Sequence, residues 1–285
     1  MTAESSSTHR IEWIQFVQGD GKNRRVLHRL VGNEAWCACI VESPIRTEDK
    51  SIGDNRQDFA IDLEVLIAEP QGRLDDDPWF DFAKNWCDSG TTRRTMRATL
   101  ISLHGIDICW GNGRVAIRAP HDRLDTVRKA ALEFAFAERE LVELERCVNN
   151  GWDALEGDVP TAFTFREANV RDRAELATRF QKAIVLQAKL SRLIPLIVQP
   201  AQYPPTLESQ LHERLKERMR QEDRVEVLER QLDIFQRVYE MCGQRSSDYM
   251  LTRSGNILEW IIILLLAVQT ILTIIDYLPS TTIGT

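Results

Sequence analysis

The sequence lacks the cysteine and histidine spacing of a disulfide framework or a zinc site. Its six cysteines are scattered, with no CxxC pair and no histidine at zinc-finger spacing. Cys37 and Cys39 lie two residues apart on one predicted strand, but two thiols make an incomplete metal site. We therefore expect free thiols in a reducing compartment, with no metal and no cofactor.

Positive charge is scarce relative to negative charge. The 285 residues include 36 lysines and arginines against 43 aspartates and glutamates, which gives a formal net charge of -7. We expect no nucleic-acid partner, because that affinity depends on neutralising phosphates with basic side chains. The first ten residues contain no apolar region and no arginine-rich amphipathic pattern, so neither a secretory signal nor a transit peptide is predicted.

Recognisable catalytic motifs are also missing, and we predict no catalytic residue. Gly111–Gly113 resembles the start of a dinucleotide fingerprint, but without a third glycine a hairpin turn is favoured. Asp75–Asp77 precede a proline and are interpreted as a helix cap, with cation binding as the alternative. His104 and Cys109 fall on opposite faces of one predicted strand, Leu100–Trp110, which argues against a Cys-His nucleophilic pair.

Long hydrophobic runs are absent with one exception, Ile257–Leu278. At about 1.5 Å per residue this segment spans about 33 Å, enough to cross a hydrocarbon core of about 30 Å once. Glu259 and Trp260 mark one border and Asp276 and Tyr277 the other, as carboxylates and aromatic rings do at bilayer interfaces. We therefore predict a single transmembrane helix at 257–278, a tail anchor whose partner is the lipid bilayer.

A buried core helix is the alternative, but such a helix usually carries a polar stripe, and few residues in this run are polar. Gln269 and Thr273 lie one turn apart and could hydrogen-bond between helices; alternatively, Thr273 bonds to its own backbone. Arg245 and Arg253 precede the run and no lysine or arginine follows it. The positive-inside rule then keeps the large N-terminal part in the cytoplasm.

Residues 1–120 have the pattern of an α+β head, with short apolar runs separated by turn signals. Hairpins are predicted across Gly19–Gly21, between the first two strands, and across Gly111–Gly113, between the last two. A helix with a thick apolar face is predicted to begin at Pro78. The predicted strands are Ile11–Val17, Arg24–Leu30, Ala35–Val41, Ile61–Ala68, Leu100–Trp110 and Arg114–Arg118.

The remaining sequence is helical in pattern. Residues 121–200 contain two predicted helices, His121–Asn149 and Arg171–Leu193, and 206–250 form an amphipathic, coiled-coil-like helix. That helix is either the seam of a parallel homodimer or packs on His121–Asn149 in an intramolecular bundle. Leucines at 207, 211 and 215 are out of phase with the seam. The seam residues are Val225, Leu228, Leu232, Phe235, Tyr239 and Cys242.

Two C-terminal segments, RVEVLERQLDIFQRVYEM and the later LEWIIILLL that begins at Leu258, resemble the "required for meiotic nuclear division" family, also called DUF155. The resemblance implies a membrane-anchored protein with an α+β head, a helical stalk and no established enzymatic chemistry. Some eukaryotic relatives reside in the mitochondrial inner membrane. This sequence lacks their targeting segment, so we expect a cytoplasm-facing protein of the bacterial plasma membrane.

These features together predict a β-rich head, a helical bundle or coiled-coil stalk and a single C-terminal transmembrane helix. The head is expected to act as a scaffold or interaction module for a protein partner. The alternative is a membrane-tethered enzyme acting on a nucleotide or another small cytoplasmic substrate, with its site near Asp107 or Asp75–Asp77. A concave pocket with several ionisable residues would favour the enzyme. A channel subunit is disfavoured, since one span with one amide supplies little pore lining.

Overall fold

The fold consists of two compact units defined by contacts within the chain. The computed structural model describes residues 10–19, 25–30, 35–41, 61–69, 78–89, 97–198 and 205–277, with side chains as far as residue 274. The sheet unit comprises 1–146 and 189–228, and the helical unit comprises 147–188 and 229–285. The division falls inside helices, whereas the sequence-based division was placed at residues 120 and 200.

An α+β architecture is confirmed, with seven strands and six α-helices in the described ranges. A 3₁₀ turn, Glu167–Val170, lies between the third and fourth helices. The strands are β1 (Arg10–Gln18), β2 (Arg25–Arg29), β3 (Trp36–Val41), β4 (Leu63–Ala68), β5 (Thr99–Leu103), β6 (Ile106–Gly111) and β7 (Arg114–Arg118). The helices are α1 (Pro78–Asp88), α2 (His121–Asn149), α3 (Trp152–Phe163), α4 (Arg173–Ile197), α5 (Leu207–Met219) and α6 (Gln221–Tyr277).

All seven strands belong to one sheet, in the order β2-β3-β1-β4-β7-β6-β5. The pairing of β4 with β7 is parallel and the other pairings are antiparallel. The predicted hairpin between β1 and β2 is wrong, because β1 pairs with β3 and β4 while β2 pairs with β3. Turn residues indicate where a chain reverses, but they do not specify which strand becomes the neighbour. The nine-residue β1 is hydrogen-bonded on both edges and takes an interior position.

The predicted single strand Leu100–Trp110 is instead a hairpin, β5 and β6. His104 and Gly105 form its two-residue turn with positive φ angles of 49° and 78°. This conformation suits tight hairpins, because its twist matches that of the flanking strands. The second turn was predicted correctly: Asn112 and Gly113 have φ angles of 45° and 73° between β6 and β7.

The sheet buries apolar side chains on both of its faces. On one face α1 covers a small cluster that includes Leu66, Cys109 and Ala116. The other face supports the larger core, to which α2 and α5 contribute most of the helical residues. Phe134 of α2 is fully buried there and meets the Trp110 ring edge-on, with centroids 4.9 Å apart. The two-sided burial accounts for the nearly continuous apolar character of β4, β6 and β7.

In the helical unit, α3 runs alongside α6, and both point toward the apolar end of α6. Along the two segments, from the start of α3 through the 3₁₀ turn, the residue numbers of contacting pairs rise together. The pairs are Trp152 with Phe235, Asp158 with Cys242, Phe165 with Tyr249, and Glu167 with Arg253. Helix α3 was not predicted from the sequence.

The helix predicted at 206–250 is two helices. It breaks at Arg220, whose left-handed φ of 51° ends α5 and precedes α6. This break explains the shift of phase between the leucines of α5 and the later heptads. From Gln221, α6 then continues for 57 residues to Tyr277 without interruption.

Gly151, just before α3, lies against the buried Phe235 ring. A Cβ at this position would be 2.8 Å from Phe235 Cε1, which is closer than carbon atoms pack. Phe235 is 5% exposed and is held edge-on by Trp152 at 5.1 Å, so it has little freedom to move. We expect Gly151→Ala to lower the free energy of unfolding by about 1–3 kcal/mol. Denaturant unfolding of the full chain in detergent micelles, followed by tryptophan fluorescence, measures the change.

Gly157→Ala is the matched control inside α3. A Cβ there meets nothing within 4 Å. Because alanine restricts the unfolded chain and favours helix, this substitution should raise the free energy of unfolding by about 0.5–1 kcal/mol. Equal effects of the two substitutions would contradict the packing described for Gly151.

Candidate functional site

The C-terminal half of α6 is apolar and exposed. Every side chain from 251 to 274 is exposed, and the most apolar 18-residue window has a mean hydropathy of 2.4 with no buried residue. Within the described ranges, this is the one helix that is long and apolar enough to cross a membrane. A core helix of a soluble protein passes the same test of length and composition, but it would be mostly buried.

The predicted border residues are placed only in part. Glu259 and Trp260 lie on α6 at the start of the apolar stretch, and the Trp260 side chain is 71% exposed. Asp276 and Tyr277 belong to the last turn of α6, but their side chains lie outside those the structure describes. Their role as the second border of a membrane span stays a prediction.

The polar residues of the apolar stretch bond to their own helix. Thr273 Oγ1 donates to the carbonyl oxygen of Gln269 at 2.8 Å, and Thr270 Oγ1 donates to that of Leu266 at 2.8 Å. The sequence left open whether Thr273 bonds to another helix or to its own backbone, and the structure contains the bond to its own backbone. The Gln269 side chain is exposed at this position.

The six predicted seam residues are core residues of a single chain. Val225, Leu228, Leu232, Phe235, Tyr239 and Cys242 are each between 1% and 5% exposed. A homodimer seam would need these side chains at an open surface, whereas here they are covered within one chain. Within this chain the heptad spacing is the buried stripe of an amphipathic helix. The homodimer seam stays a prediction.

A cavity of about 220 Å³ opens in the sheet unit, between α2 and the end of the sheet that carries the turn at Asn112 and Gly113. The lining contains three carboxylates and one guanidinium, which together give it a net negative charge. Its ionisable residues are Asp62, Glu138, Arg139 and Glu143.

Arg139 is the cation of this cavity and is surrounded by groups of its own chain. Its guanidinium lies 3.2 Å from Asp62 and 2.8 Å from Glu140, and Asp62 also accepts from the backbone N–H of Phe16 at 2.7 Å. Three rings stand 5.0–5.2 Å from the guanidinium carbon, in cation–π geometry. The rings are those of Phe16, Trp36 and Phe136.

Glu138 is engaged in a buried ion-pair network. Arg224 Nη1 donates to both Glu138 oxygens at 2.8 and 2.9 Å, and its Nε donates to Glu145 at 2.7 Å. Gln221, which is fully buried, donates a further bond of 2.8 Å to Glu138. Burial lowers the pKa of Arg224, but the hydrogen bond to Glu145 and the charge of Glu138 outweigh it, so that pKa is raised overall. Glu138 therefore belongs to the scaffold as well as to the cavity wall.

Asp107, named in the sequence-based enzyme hypothesis, is buried in an ion pair with Arg118. Arg118 donates to Asp107 Oδ2 from Nε at 3.0 Å and Nη2 at 2.7 Å, while Ser102 donates to Oδ1 at 2.6 Å. The guanidinium also lies over the Trp79 and Phe80 rings, at 4.5 and 4.9 Å. These bonds join β5, β6 and β7, so Asp107 has a structural role in the sheet. The second location, Asp75–Asp77, lies outside the described residues.

The cysteines and histidine considered from sequence do not assemble into a reactive site. His104 is in the β5–β6 turn, so the strand-face argument against its pairing with Cys109 no longer applies. Cys109 is buried beneath α1 beside Cys87. The hydrogen bond to Cys109, together with burial, raises the pKa of Cys87 and keeps it a thiol. Cys37 is buried and donates to the Gly19 carbonyl oxygen at 3.3 Å. Across the described ranges no three metal-ligating side chains cluster.

Comparison with family models, with curated proteins and with solved structures gives no match. The resemblance of the C-terminal segment to the "required for meiotic nuclear division" family stays a prediction.

The cavity and the ion-pair network were both missed in the sequence analysis. Glu138 and Glu145 are seven residues apart on α2, which places them on one helix face two turns apart. Arg224 directly precedes the first heptad residue, Val225, so it lies beside the buried stripe of α6 and can reach the face of α2 that carries the two carboxylates. A buried cation between two such carboxylates could have been proposed from this spacing, but the spacing does not indicate which of many arginines supplies it.

Removing the Arg224 guanidinium should leave Glu138 and Glu145 without their cation. We expect Arg224→Ala to lower the free energy of unfolding by about 3–5 kcal/mol, as when one partner of a buried pair is lost. Arg214→Ala is the control, since Arg214 is 60% exposed in its pair with Glu217. Its loss should cost less than about 1 kcal/mol. Denaturant unfolding measures both, and a similar cost for the two variants would contradict the burial of the charges in this network.

Cys242 tests the packing of α6 within its own chain. Its thiol is 1% exposed and lies 3.7 Å from the carbonyl oxygen of Asp158, and burial raises its pKa. We expect a maleimide to modify Cys242 at least about tenfold more slowly than a Cys at the exposed position Gln244, since thiolate content and access both control the rate. Mild oxidation should give no Cys242-linked dimer. Equal labelling rates would contradict the burial of Cys242, and a crosslink abolished by Cys242→Ser would support the dimer seam.

Proposed function

We propose that the chain is a single-pass membrane protein, anchored by the apolar part of α6 and carrying a cytoplasmic head that binds a protein partner. The supporting observation is that residues 257–274 bury no side chain within the chain. From 257 to the end of α6 at 277, the helix is about 32 Å long at 1.5 Å per residue. A hydrocarbon core of about 30 Å matches this length.

Water is a poor environment for this helix. Thirteen large apolar side chains between Ile257 and Ile274 are 46–71% exposed. Full burial of such a side chain is worth about 1.5–3 kcal/mol, so leaving thirteen of them half exposed forgoes roughly 10–20 kcal/mol. That amount is comparable with the whole net stability of a domain. An apolar environment around the helix is therefore needed.

A lipid bilayer fits this surface better than a protein groove. The residues 261–266 are all isoleucine or leucine, and at 100° per residue they cover every side of the helix. A groove would cover one stripe and leave the others in water, whereas hydrocarbon surrounds the whole helix. Arg245 and Arg253 precede the stretch, so the positive-inside rule favours a cytoplasmic position for the preceding residues. The plasma membrane of a bacterium remains our proposal for the membrane.

A scaffold or interaction module is the favoured role of the head. Its support is that the charged side chains described above bind one another: Asp107 with Arg118, Glu138 with Arg224, and Asp62 with Arg139. Such pairing fixes the positions of these side chains within the head, which suits a structural role. The partner would then be recognised by the surface of the head.

The cavity favours a second candidate, a membrane-tethered enzyme or binding protein for a small cytoplasmic molecule. It gathers four ionisable side chains, as an active site does. Its net negative lining fits a cationic group better than the phosphates of a nucleotide. Stabilisation of the purified protein by a small cation such as spermidine, but not by ATP, would support this candidate.

A charged residue at the middle of the apolar stretch tests the anchor. We expect Leu265→Arg to reduce membrane retention of the full chain, because arginine at the centre of a span costs about 2.5–3.5 kcal/mol of insertion free energy. Leu251→Arg is the matched control, since both leucines are exposed on α6, at 60% and 72%, but Leu251 precedes the stretch. Carbonate extraction followed by sedimentation measures retention. Release of the unmodified chain by carbonate, or equal retention of both variants, would argue against the anchor.

A further inference from the structure

The connection between α3 and α4 lies beside the part of α6 that directly precedes the apolar stretch. We call residues 164–173 of this connection the tip. Phe165 packs against Tyr249 with ring centroids 5.5 Å apart, and Glu167 pairs with Arg253 at 3.3 Å. Asn169 closes the turn by accepting the backbone N–H of Arg166 at 3.0 Å. The tip therefore has a defined shape, and it lies beside the segment of α6 between Tyr249 and Arg253.

The level of this segment coincides with the headgroup layer if α6 spans a membrane. Arg253 is four residues before Ile257, which is about 6 Å along the helix axis. Subtracting a hydrocarbon core of about 30 Å from a total bilayer thickness of about 40–45 Å leaves a headgroup layer of roughly 5–8 Å on each side. Glu167, which pairs with Arg253, therefore lies within this headgroup layer, and the rest of the tip adjoins it in sequence.

The charge of the tip differs from that of the chain as a whole. Arg166, Arg171 and Arg173 are exposed, whereas the two acidic residues in the segment are Glu167, which pairs with Arg253, and Asp172. The tip thus carries one net positive charge in a chain whose formal net charge is -7.

Two of these arginines lie at the N-terminal end of α4, where a positive charge interacts unfavourably with the helix dipole. Arg173 is the first residue of α4 and Arg171 lies two residues before it. The positive end of a helix dipole is at its N-terminus, so cations there are destabilising and carboxylates are preferred. An external anion near the start of α4 would give these positions a favourable interaction.

We propose that the tip is a membrane-surface contact, with Arg171 and Arg173 bound to lipid phosphates of the bilayer that holds α6. This inference rests on the proposed membrane anchor and adds a second, shallow attachment beside it. Arginine suits the role because its guanidinium binds phosphate oxygens in bidentate fashion. The lipid is defined by its chemistry as an anionic phosphate headgroup.

Accessibility of the tip in vesicles tests the contact. The full chain carries Ala168→Cys in a Cys147→Ser background and is reconstituted in phosphatidylcholine vesicles with or without 30% phosphatidylserine. Ala188→Cys, on the exposed face of α4 at the far end of its helical-unit segment, is the control position. With phosphatidylserine, an impermeant maleimide should label residue 168 at least about fivefold more slowly than residue 188, which is what one basic contact to an anionic surface is worth.

Charge reversal separates lipid contact from folding. Arg171→Glu with Arg173→Glu should remove the protection of residue 168, although it places preferred carboxylates at the start of α4. Lys182→Glu with Arg237→Glu makes the same change of charge at other exposed positions of the helical unit and should leave the protection intact. Protection that does not depend on phosphatidylserine or on the two arginines would overturn the proposal.

The outcomes distinguish this inference from the anchor on which it rests. If carbonate releases the reconstituted chain, the anchor and the tip contact both fall. If the chain is retained but residues 168 and 188 react at equal rates, the anchor stands and the tip contact alone is overturned.

Discussion

The structure of α6 depends on shielding its apolar side chains from water. Two arrangements of apolar residues occur along this one uninterrupted helix. From Val225 to Cys242 the apolar stripe recurs every three or four residues and is buried by the protein itself. From Ile257 onward apolar side chains occupy all sides of the helix, and no packing of the described chain covers them. The change from a stripe to a full circumference separates the part of α6 that the protein covers from the part that is long and apolar enough to cross a membrane.

In the sheet unit, buried positive charges are stabilised by neighbouring side chains of the same chain. Three of its arginines lie on aromatic rings or between carboxylates: Arg118 over Trp79, Arg139 over three rings, and Arg224 between Glu138 and Glu145. Guanidinium groups tolerate burial because their planar faces stack while their edges donate hydrogen bonds. Buried pairs of this kind contribute little net stability, since desolvation offsets attraction, but they oppose any rearrangement that would separate them. The cavity beside Arg139 is therefore bounded by side chains with fixed partners.

Local patterns predicted the elements well and their partners poorly. Alternating apolar residues located most of the strands, Asn112-Gly113 specified its hairpin, and the composition of 257–278 indicated a helix able to cross a membrane. The pairing of β1 with β3 and β4 and the helix α3, which packs on the distant α6, were not predicted, because both depend on contacts between distant segments. The turn at His104 and Gly105 is local, but it was missed because Leu100–Trp110 was interpreted as one continuous strand. The heptads of α6 are the clearest example. Their spacing indicates that one face of the helix is buried, but it does not indicate whether a second copy or the same chain buries that face.

Because α6 is continuous, it sets both the distance along its axis and the rotation about its axis between Tyr249 and the apolar stretch. No residue with loop geometry interrupts it between Tyr249, which packs on the tip, and the exposed leucines beyond residue 257. Each residue added to an α-helix rotates the remainder of the helix by about 100° and advances it by about 1.5 Å. The number of residues between Tyr249 and the apolar stretch thus sets how the two are rotated relative to each other about the axis of α6. Evolution could lengthen this segment by seven residues and nearly preserve the facing, whereas a single insertion would turn the unit more than a quarter of the way round.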